Sequence, residues 1–328
     1  MEKVSAALGA HAAAAVPRRG MQAEAVSDAS AGTCPACNAA DFESILRTGG
    51  IGAPRTLIAC SRCSLLRILG SPTCTNALTL ADALHFSGPR GTPADRFYRF
   101  MLARALRPKL QFLSKALLRK GSSGVVLDCG GGDGTVARAL EARDARSLSV
   151  VGNLGEAIHA YHRQGVPVVV ADPSDPPLRV SMFDAVCRLR GLAHDEDPVS
   201  WLQSARRLLK PGGRVVTQTF DSGSWAFLIT GSQWAGLEGQ CARYAFRAVD
   251  LEVLLDFSGF QIAHRTHFFP LLNASVWVSS LFPGMDPQAR RAPNRERSWR
   301  TLPLDLLYAF LVLLALPIGL LASVCHTG

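Results

Sequence analysis

The sequence predicts an α/β fold with a small metal-binding module ahead of it, on three observations. A strand, a glycine turn and a helix follow one another in VVLDCGGGDGTVARAL, Val125 to Leu140. Two C-x-x-C pairs stand near the beginning, with residues 38–59 between them. The 328 residues leave room for one domain of roughly 150 to 200 residues, a smaller module and tails. Apolar residues make up 48% of the chain and charged residues 19%, with a formal net charge of +9. The arginines are scattered apart from one cluster near the C-terminus, and no basic aromatic patch appears, so nucleic acid is not an expected partner. Of the nine cysteines, four stand in the pairs and five are isolated, a pattern of metal binding in a reducing cytoplasm.

The central stretch begins with the apolar run Val125, Val126 and Leu127 and ends it in Asp128. Gly130, Gly132 and Gly134 follow at alternate positions, then a segment with apolar Val136, Ala137 and Leu140. Residues without a Cβ let backbone approach a ligand closely, and a following helix aims unpaired N–H groups at it. A dinucleotide fingerprint requires glycine where Thr135 stands, and a phosphate loop requires Gly-Lys-Ser/Thr, which is absent. The remaining D-x-G-x-G-x-G resembles motif I of the Rossmann-like, class I S-adenosylmethionine-dependent methyltransferases. Phe183-Asp-Ala-Val-Cys looks like their fourth strand, and LLKPGGRVV (208–216) like the helix end, glycine turn and fifth strand that follow. The resemblance implies a doubly wound sheet over residues 121–270, with Asp128, Gly130, Gly132 and Gly134 at the cofactor.

In chain order, residues 1–30, rich in alanine, read as a disordered extension without the bounded apolar core of a signal peptide. Cys34, Cys37, Cys60 and Cys63 supply the four soft ligands of a tetrahedral structural zinc site, with no open position for water. Two disulfides or redox-active thiols are the competing reading, and no secretion signal accompanies it. The pairs, in C-P-x-C-N and C-S-R-C-S-L-L-R, resemble the zinc ribbon ahead of some bacterial methyltransferases, placing a ribbon at 31–72. Cys74 is left over as an ordinary buried or loop cysteine. Residues 73–120 form a helical linker or cap, with Phe97, Phe100, Leu102, Leu106, Leu110, Leu113 and Leu117 near helical spacing. In the family such helices often cover the ligand, which would bring Phe97 and Tyr98 to it; core packing is the preferred reading.

After the glycine turn a second strand is expected at Leu148–Gly152 and a helix at 155–163. The family usually ends that strand in an acid for the ribose hydroxyls; here Asn153 and Leu154 stand there, with Glu156 nearby. Either Asn153 substitutes, or Glu156 reaches back, or cofactor binding is impaired. The third strand, Val166 to Asp172, places Asp172 where the family has an acid near the adenine amino group; a plain turn acid before Pro173 is the alternative. After a fourth strand at Phe183–Leu189, GLAHDEDP puts His194 where many relatives carry a histidine. It is either a base for an acceptor hydroxyl or an orienting group for the helix starting near Pro198. Trp225, Trp234, Tyr244 and Phe246 match the family outline of an acceptor-pocket wall, with hydrophobic core as the competing reading. A helix at 249–257 closed by Gly259 and a sixth strand at Phe260–Phe269 complete the domain.

The end of the chain, 271–328, reads as a basic linker and an apolar helical segment. Arg290, Arg291, Arg295, Arg297 and Arg300 precede Leu306 to Cys325, a stretch without acid or base and long enough as a helix to cross a bilayer. Pro317 and Gly319 equally suit two short interfacial helices, or a helix pair packed on the domain. The resemblance implies a last strand after this segment, whereas the chain stops at Gly328. It further implies methyl transfer from S-adenosylmethionine to an acceptor oxygen, nitrogen or carbon, on a small-molecule, glycan or lipid-linked acceptor at the cytoplasmic membrane face. The competing expectation is a degenerate methyltransferase-fold scaffold at the membrane.

Overall fold

A computed structural model describes residues 25–26, 32–48, 55–70, 111–115, 124–132, 134–189, 192–238, 242–286 and 302–325. The expectations for residues 1–24, for most of 73–120 including Cys74, Phe97 and Tyr98, and for the arginine cluster 290–300 lie outside these residues. Residues 111–115 are helical, with Leu113 buried.

Two five-stranded sheets organise the chain. One is antiparallel: β1 (Ala25–Val26), β2 (Phe42–Thr48), β3 (Arg55–Cys60) and β4 (Leu66–Leu69), joined by β10 (Tyr244–Ala245) from far along the sequence. The other is parallel and runs β7-β6-β5-β8-β9, where β5 is Val125–Cys129, β6 Arg146–Val151, β7 Val168–Val170, β8 Phe183–Arg188 and β9 Leu209–Thr217. Helices α1 (Thr135–Glu141), α2 (Leu154–Gln164) and α3 (Pro198–Leu208) make the crossovers, and the short α4 (Trp225–Thr230) and α5 (Ala235–Glu238) follow β9. The chain lays β6 and β7 on one side of β5 and then returns to lay β8 and β9 on the other, the reversal at which open α/β sheets bind ligands.

Local sequence explains the helix ends. Asn153, in an extended conformation, caps α2 by accepting the Glu156 N–H at 2.9 Å, and Gly165 ends it with φ 69°. Asp197 caps α3 by accepting from the N–H groups of Val199 (2.9 Å) and Ser200 (3.1 Å), with Pro198 in the first turn. The Lys210-Pro-Gly-Gly segment does not precede the fifth strand as a turn but lies inside β9 as a bulge. Phe183 pairs with Leu209 and Ala185 with Arg214, so 210–213 loop out opposite one residue, and Gly212 takes φ 72°.

The expected sixth strand is not formed. Residues 260–269 carry no strand pairing, and Arg265 forms an exposed ion pair with Glu252 on α6 (Ala248–Phe257). A cavity of about 790 Å³ separates the segment from β9, and Lys210, Val215, Phe220, Trp225 and Ile262 are among its walls. No further strand follows among the described residues.

The apolar C-terminal segment is two helices, α8 (Leu302–Leu314) and α9 (Leu316–Cys325), with a bend of 48°. Among the described residues no single helix is long and apolar enough to cross a membrane; only this bent pair is so by length and composition. Both helices lie against α7 (Pro270–Leu281), and Gly319 admits a close approach of backbones there. A Cβ there would stand 2.3 Å from the Pro270 carbonyl oxygen and 2.8 Å from the Ala274 nitrogen. The outward face remains apolar and exposed at Leu306, Phe310, Leu314, Leu321 and Val324.

The two sheets share one core. Cys34, Phe42, Ile58 and Leu65 of the small sheet are continuous with Leu127, Val150, Phe183, Trp201 and Phe246 of the larger unit. The ribbon is therefore packed into the α/β body rather than appended to it.

Candidate cofactor and metal sites

The four cysteines expected to bind metal converge. Their sulfurs all lie within 4.8 Å of one another, with Cys34 to Cys63 and Cys37 to Cys60 at 3.5 Å. These separations exceed the ~2.05 Å of a disulfide and suit four thiolates around one tetrahedral ion, whose bonds to sulfur are about 2.3 Å. The thiols act on one another: hydrogen bonds from Cys34 and Cys63 lower the Cys60 thiol, while Cys34 and Cys63 are themselves pushed up. The donor set is closed and mostly buried, which fits structural zinc.

The glycine turn lies at the carboxyl end of β5, beside β8, at the point where strand order reverses. Gly130, Gly132 and Gly134 have φ values of 74°, 58° and 75°. The alternation read in the sequence is thus three left-handed residues, a backbone that side chains with a Cβ adopt at a cost. Above Gly130 the space is open: a Cβ there would meet nothing within 4 Å. At Gly131 the opposite holds, because a Cβ would come within 2.3 Å of Asp128 Oδ2 and 2.9 Å of Ser149 Oγ. Asp128, 2% exposed, thus lies under the turn, where its Oδ1 accepts from the Cys187 thiol at 3.4 Å. Next to it, burial pushes the Cys129 thiol up to about 12.

Asn153 stands at the end of β6, with its side-chain oxygen engaged in the α2 cap. Asp172 lies exposed after β7, and its Oδ1 accepts the Ser174 N–H at 2.8 Å in a local turn. His194 is half-buried in the loop between β8 and α3. Trp234, Tyr244 and Phe246 are core residues, each 2% exposed or less, and the Trp234 ring packs edge-on against Phe227 at 5.1 Å. Trp225, 45% exposed, opens on the cavity along β9. None of the described residues among 128–134 lines that cavity; what distinguishes the glycine turn is topology and backbone conformation, not cavity size.

Sequence reading passed over a buried ion pair at the same crevice. Arg188, the last residue of β8, meets Asp195 from the following loop, with side chains 7% and 3% exposed. Arg188 also donates to the Pro173 carbonyl at 2.7 Å and lies over the Trp201 ring at 5.4 Å, while Ser174 Oγ donates to Asp195 at 3.0 Å. Burial pushes the Asp195 carboxyl above its ordinary range, against the pull of Arg188. The pair ties the loops after β7 and β8 together. A charged residue closing the apolar run 185–187 of a parallel strand was the available signal, since such residues are buried only when paired.

Comparison with known proteins decides the family. The description "Methyltransferase domain" matches residues 97–265, just over half of the chain. The chain belongs to the methyltransferase-domain family. Curated relatives of this methyltransferase-domain protein include the ubiquinone biosynthesis O-methyltransferase of Methylococcus capsulatus, 31% identical over 125 residues, which are 37% of this chain and 53% of that one. The protein of the same name from Pseudomonas paraeruginosa is 36% identical over 120 residues, covering 34% and 51%. The chain thus spans about half the length of the curated relatives it matches. Among solved structures, Burkholderia thailandensis 1,6-didemethyltoxoflavin-N1-methyltransferase with bound 1,6-didemethyltoxoflavin and S-adenosylhomocysteine is 19% identical, with a TM-score of 0.42 over 67% of this chain and 92% of that one. An S-adenosylmethionine-dependent methyltransferase from Mesorhizobium loti is 20% identical, with a TM-score of 0.41 over 50% and 84%.

Proposed function

We propose that this protein transfers a methyl group from S-adenosylmethionine to a small-molecule acceptor, with the cofactor held by residues 121–270 and the ribbon of 31–72 as structural support. The observation that carries this reading is the run of three left-handed glycines at the strand-order reversal of the parallel sheet. Gly130, Gly132 and Gly134 give the backbone access to the cofactor, and Asp128 holds the turn from below. Asn153 and Asp172 stand at the ends of the two neighbouring strands, on the ribose and adenine side. When bound, S-adenosylmethionine supplies an electrophilic methyl group. The chain's own part is to align the acceptor with it and to exclude water. His194 takes the proton that an acceptor hydroxyl releases, as an imidazole nitrogen can.

The finer reading places the acceptor among saccharides or lipid-linked precursors, methylated at the cytoplasmic face of a membrane. The exposed apolar face of α8 and α9 supports it, because contiguous apolar surface of this kind seeks lipid or a partner. Co-sedimentation with phospholipid vesicles, lost on deletion of residues 302–328, is the expected result; equal sedimentation of both forms rejects membrane attachment.

A second reading, a methyltransferase fold retained as a scaffold, is favoured by one observation: the Asn153 side-chain oxygen is engaged in a helix cap where relatives place a ribose acid. Calorimetry with S-adenosylhomocysteine separates the two. Under the first reading the protein binds it, and Gly132→Val weakens binding roughly five- to thirtyfold, since a left-handed residue with a Cβ costs ~1–2 kcal/mol. Absence of binding by the unaltered protein rejects the enzymatic reading.

A further inference from the structure

We propose that Tyr244 is a positioning residue for methyl transfer, through which the zinc ribbon holds the loop that carries His194. The inference rests on the proposed role of that loop. The last strand of the ribbon sheet, β10, belongs in sequence to the region between β9 and α6.

On one side β10 is fixed by the ribbon. Tyr244 pairs with Arg67 and Ala245 with Leu66, and the Ile68 N–H donates to the Arg243 carbonyl at 2.8 Å. The Tyr244 ring stacks on Phe246 at 5.6 Å, with the Arg67 guanidinium 5.9 Å from its centre. On the other side the same residues grip the loop after β8. The N–H groups of Arg243 and Tyr244 both donate to the Ala193 carbonyl, at 2.7 and 3.1 Å. The Tyr244 hydroxyl donates to the Glu196 carbonyl at 2.8 Å, and the Arg243 guanidinium meets the Glu196 carboxylate at 2.9 Å.

His194 is therefore bracketed. The carbonyl just before it and the carbonyl two residues after it are both held from β10, whose own register is set by β4. The loop after β9 hangs on the same residues, through the Ser222 N–H to the Phe246 carbonyl at 2.9 Å and the Ser222 hydroxyl to the Ala245 carbonyl at 3.0 Å. A ribbon folded around its metal thus dictates the placement of two loops at the carboxyl end of the parallel sheet. The glycine turn is held separately, by Asp128 and by the Gly130 N–H bond to the Val150 carbonyl at 2.8 Å.

This division predicts that loop placement can be disturbed without disturbing the cofactor turn. Tyr244→Phe keeps the ring and the strand pairing and removes only the hydroxyl bond to Glu196. In the full-length, zinc-loaded protein it should retain its zinc and bind S-adenosylhomocysteine with little change, while the C2-proton resonance of His194 moves from its wild-type position at the same pH. Phe246→Leu, which alters core packing beside the Tyr244 ring but leaves the hydroxyl in place, should leave that resonance much nearer the wild-type position. An unmoved His194 resonance in Tyr244→Phe overturns the proposal. So does loss of zinc or of S-adenosylhomocysteine binding in that variant, which would make Tyr244 a general support of the fold. Failure of the unaltered protein to bind S-adenosylhomocysteine rejects the enzymatic reading instead, with the His194 resonance still reporting whether β10 holds the loop.

Discussion

Substituting either member of the Arg188–Asp195 pair leaves a charge buried without its partner, and that sets a large expected cost. The side chains are 7% and 3% exposed, so solvent screening brings little relief. Arg188→Met strands the Asp195 carboxylate and frees the Pro173 carbonyl; Asp195→Leu strands the guanidinium over Trp201. Breaking a buried pair from one side costs about 3–5 kcal/mol. At ~2–4 °C per kcal/mol for a domain of this size, each single variant should melt roughly 6–20 °C below wild type. Replacing both members with apolar side chains removes the desolvation cost along with the attraction, so the double variant should be more stable than either single one. Urea denaturation followed by tryptophan fluorescence, to which Trp201 contributes beside the pair, measures all four proteins. Single-variant losses under about 1 kcal/mol, or strict additivity in the double variant, refute the reasoning.

Elemental analysis should find about one zinc per chain, and replacing both Cys60 and Cys63 with serine should abolish it and lower stability of the whole body, because the ribbon shares its core. Full zinc retention in that variant would reject the four-cysteine site. Alkaline pH should destabilise the protein. The Cys129 thiol is raised by burial from 9.0 to about 12, so the stability from its neutral form is complete below pH 9 and is lost as pH rises towards 12. Denaturation midpoints that stay flat over that window contradict this, and Cys129→Ala should flatten the slope. Gly319→Val forces a Cβ against the backbone of Pro270 and Ala274 and should cost ~1–3 kcal/mol by overpacking, read by urea denaturation. No change would mean that α9 does not pack on α7 in solution.

The parts of this fold legible in the sequence are those written locally. Three glycines at alternate positions became three left-handed residues, and two C-x-x-C pairs became one cluster. Asn153 and Asp172 were harder to read, because short polar side chains serve the adjacent backbone as readily as a ligand, and here one caps α2 and the other closes a turn. Phe260–Phe269 has the composition of a strand, yet it carries no strand pairing and is separated from β9 by the cavity. Nothing in the sequence marks β10, since two residues have no periodicity and the partner strand lies far upstream. Tyr244 and Phe246 accordingly looked like pocket aromatics before the sheet accounted for them.

The late-coming strand also bears on how the chain is made. Cys63, the last of the four metal ligands, emerges from the ribosome long before Tyr244, so the ribbon can take up metal while its sheet still lacks a strand. During that interval the edge of β4 is an unpaired ladder of N–H and C=O groups, open to any neighbouring extended chain. Closing it requires a contact of very long sequence separation, which folds slowly. Nascent chains of this protein should therefore be most prone to strand exchange with one another until residues 243–246 have been synthesised and docked.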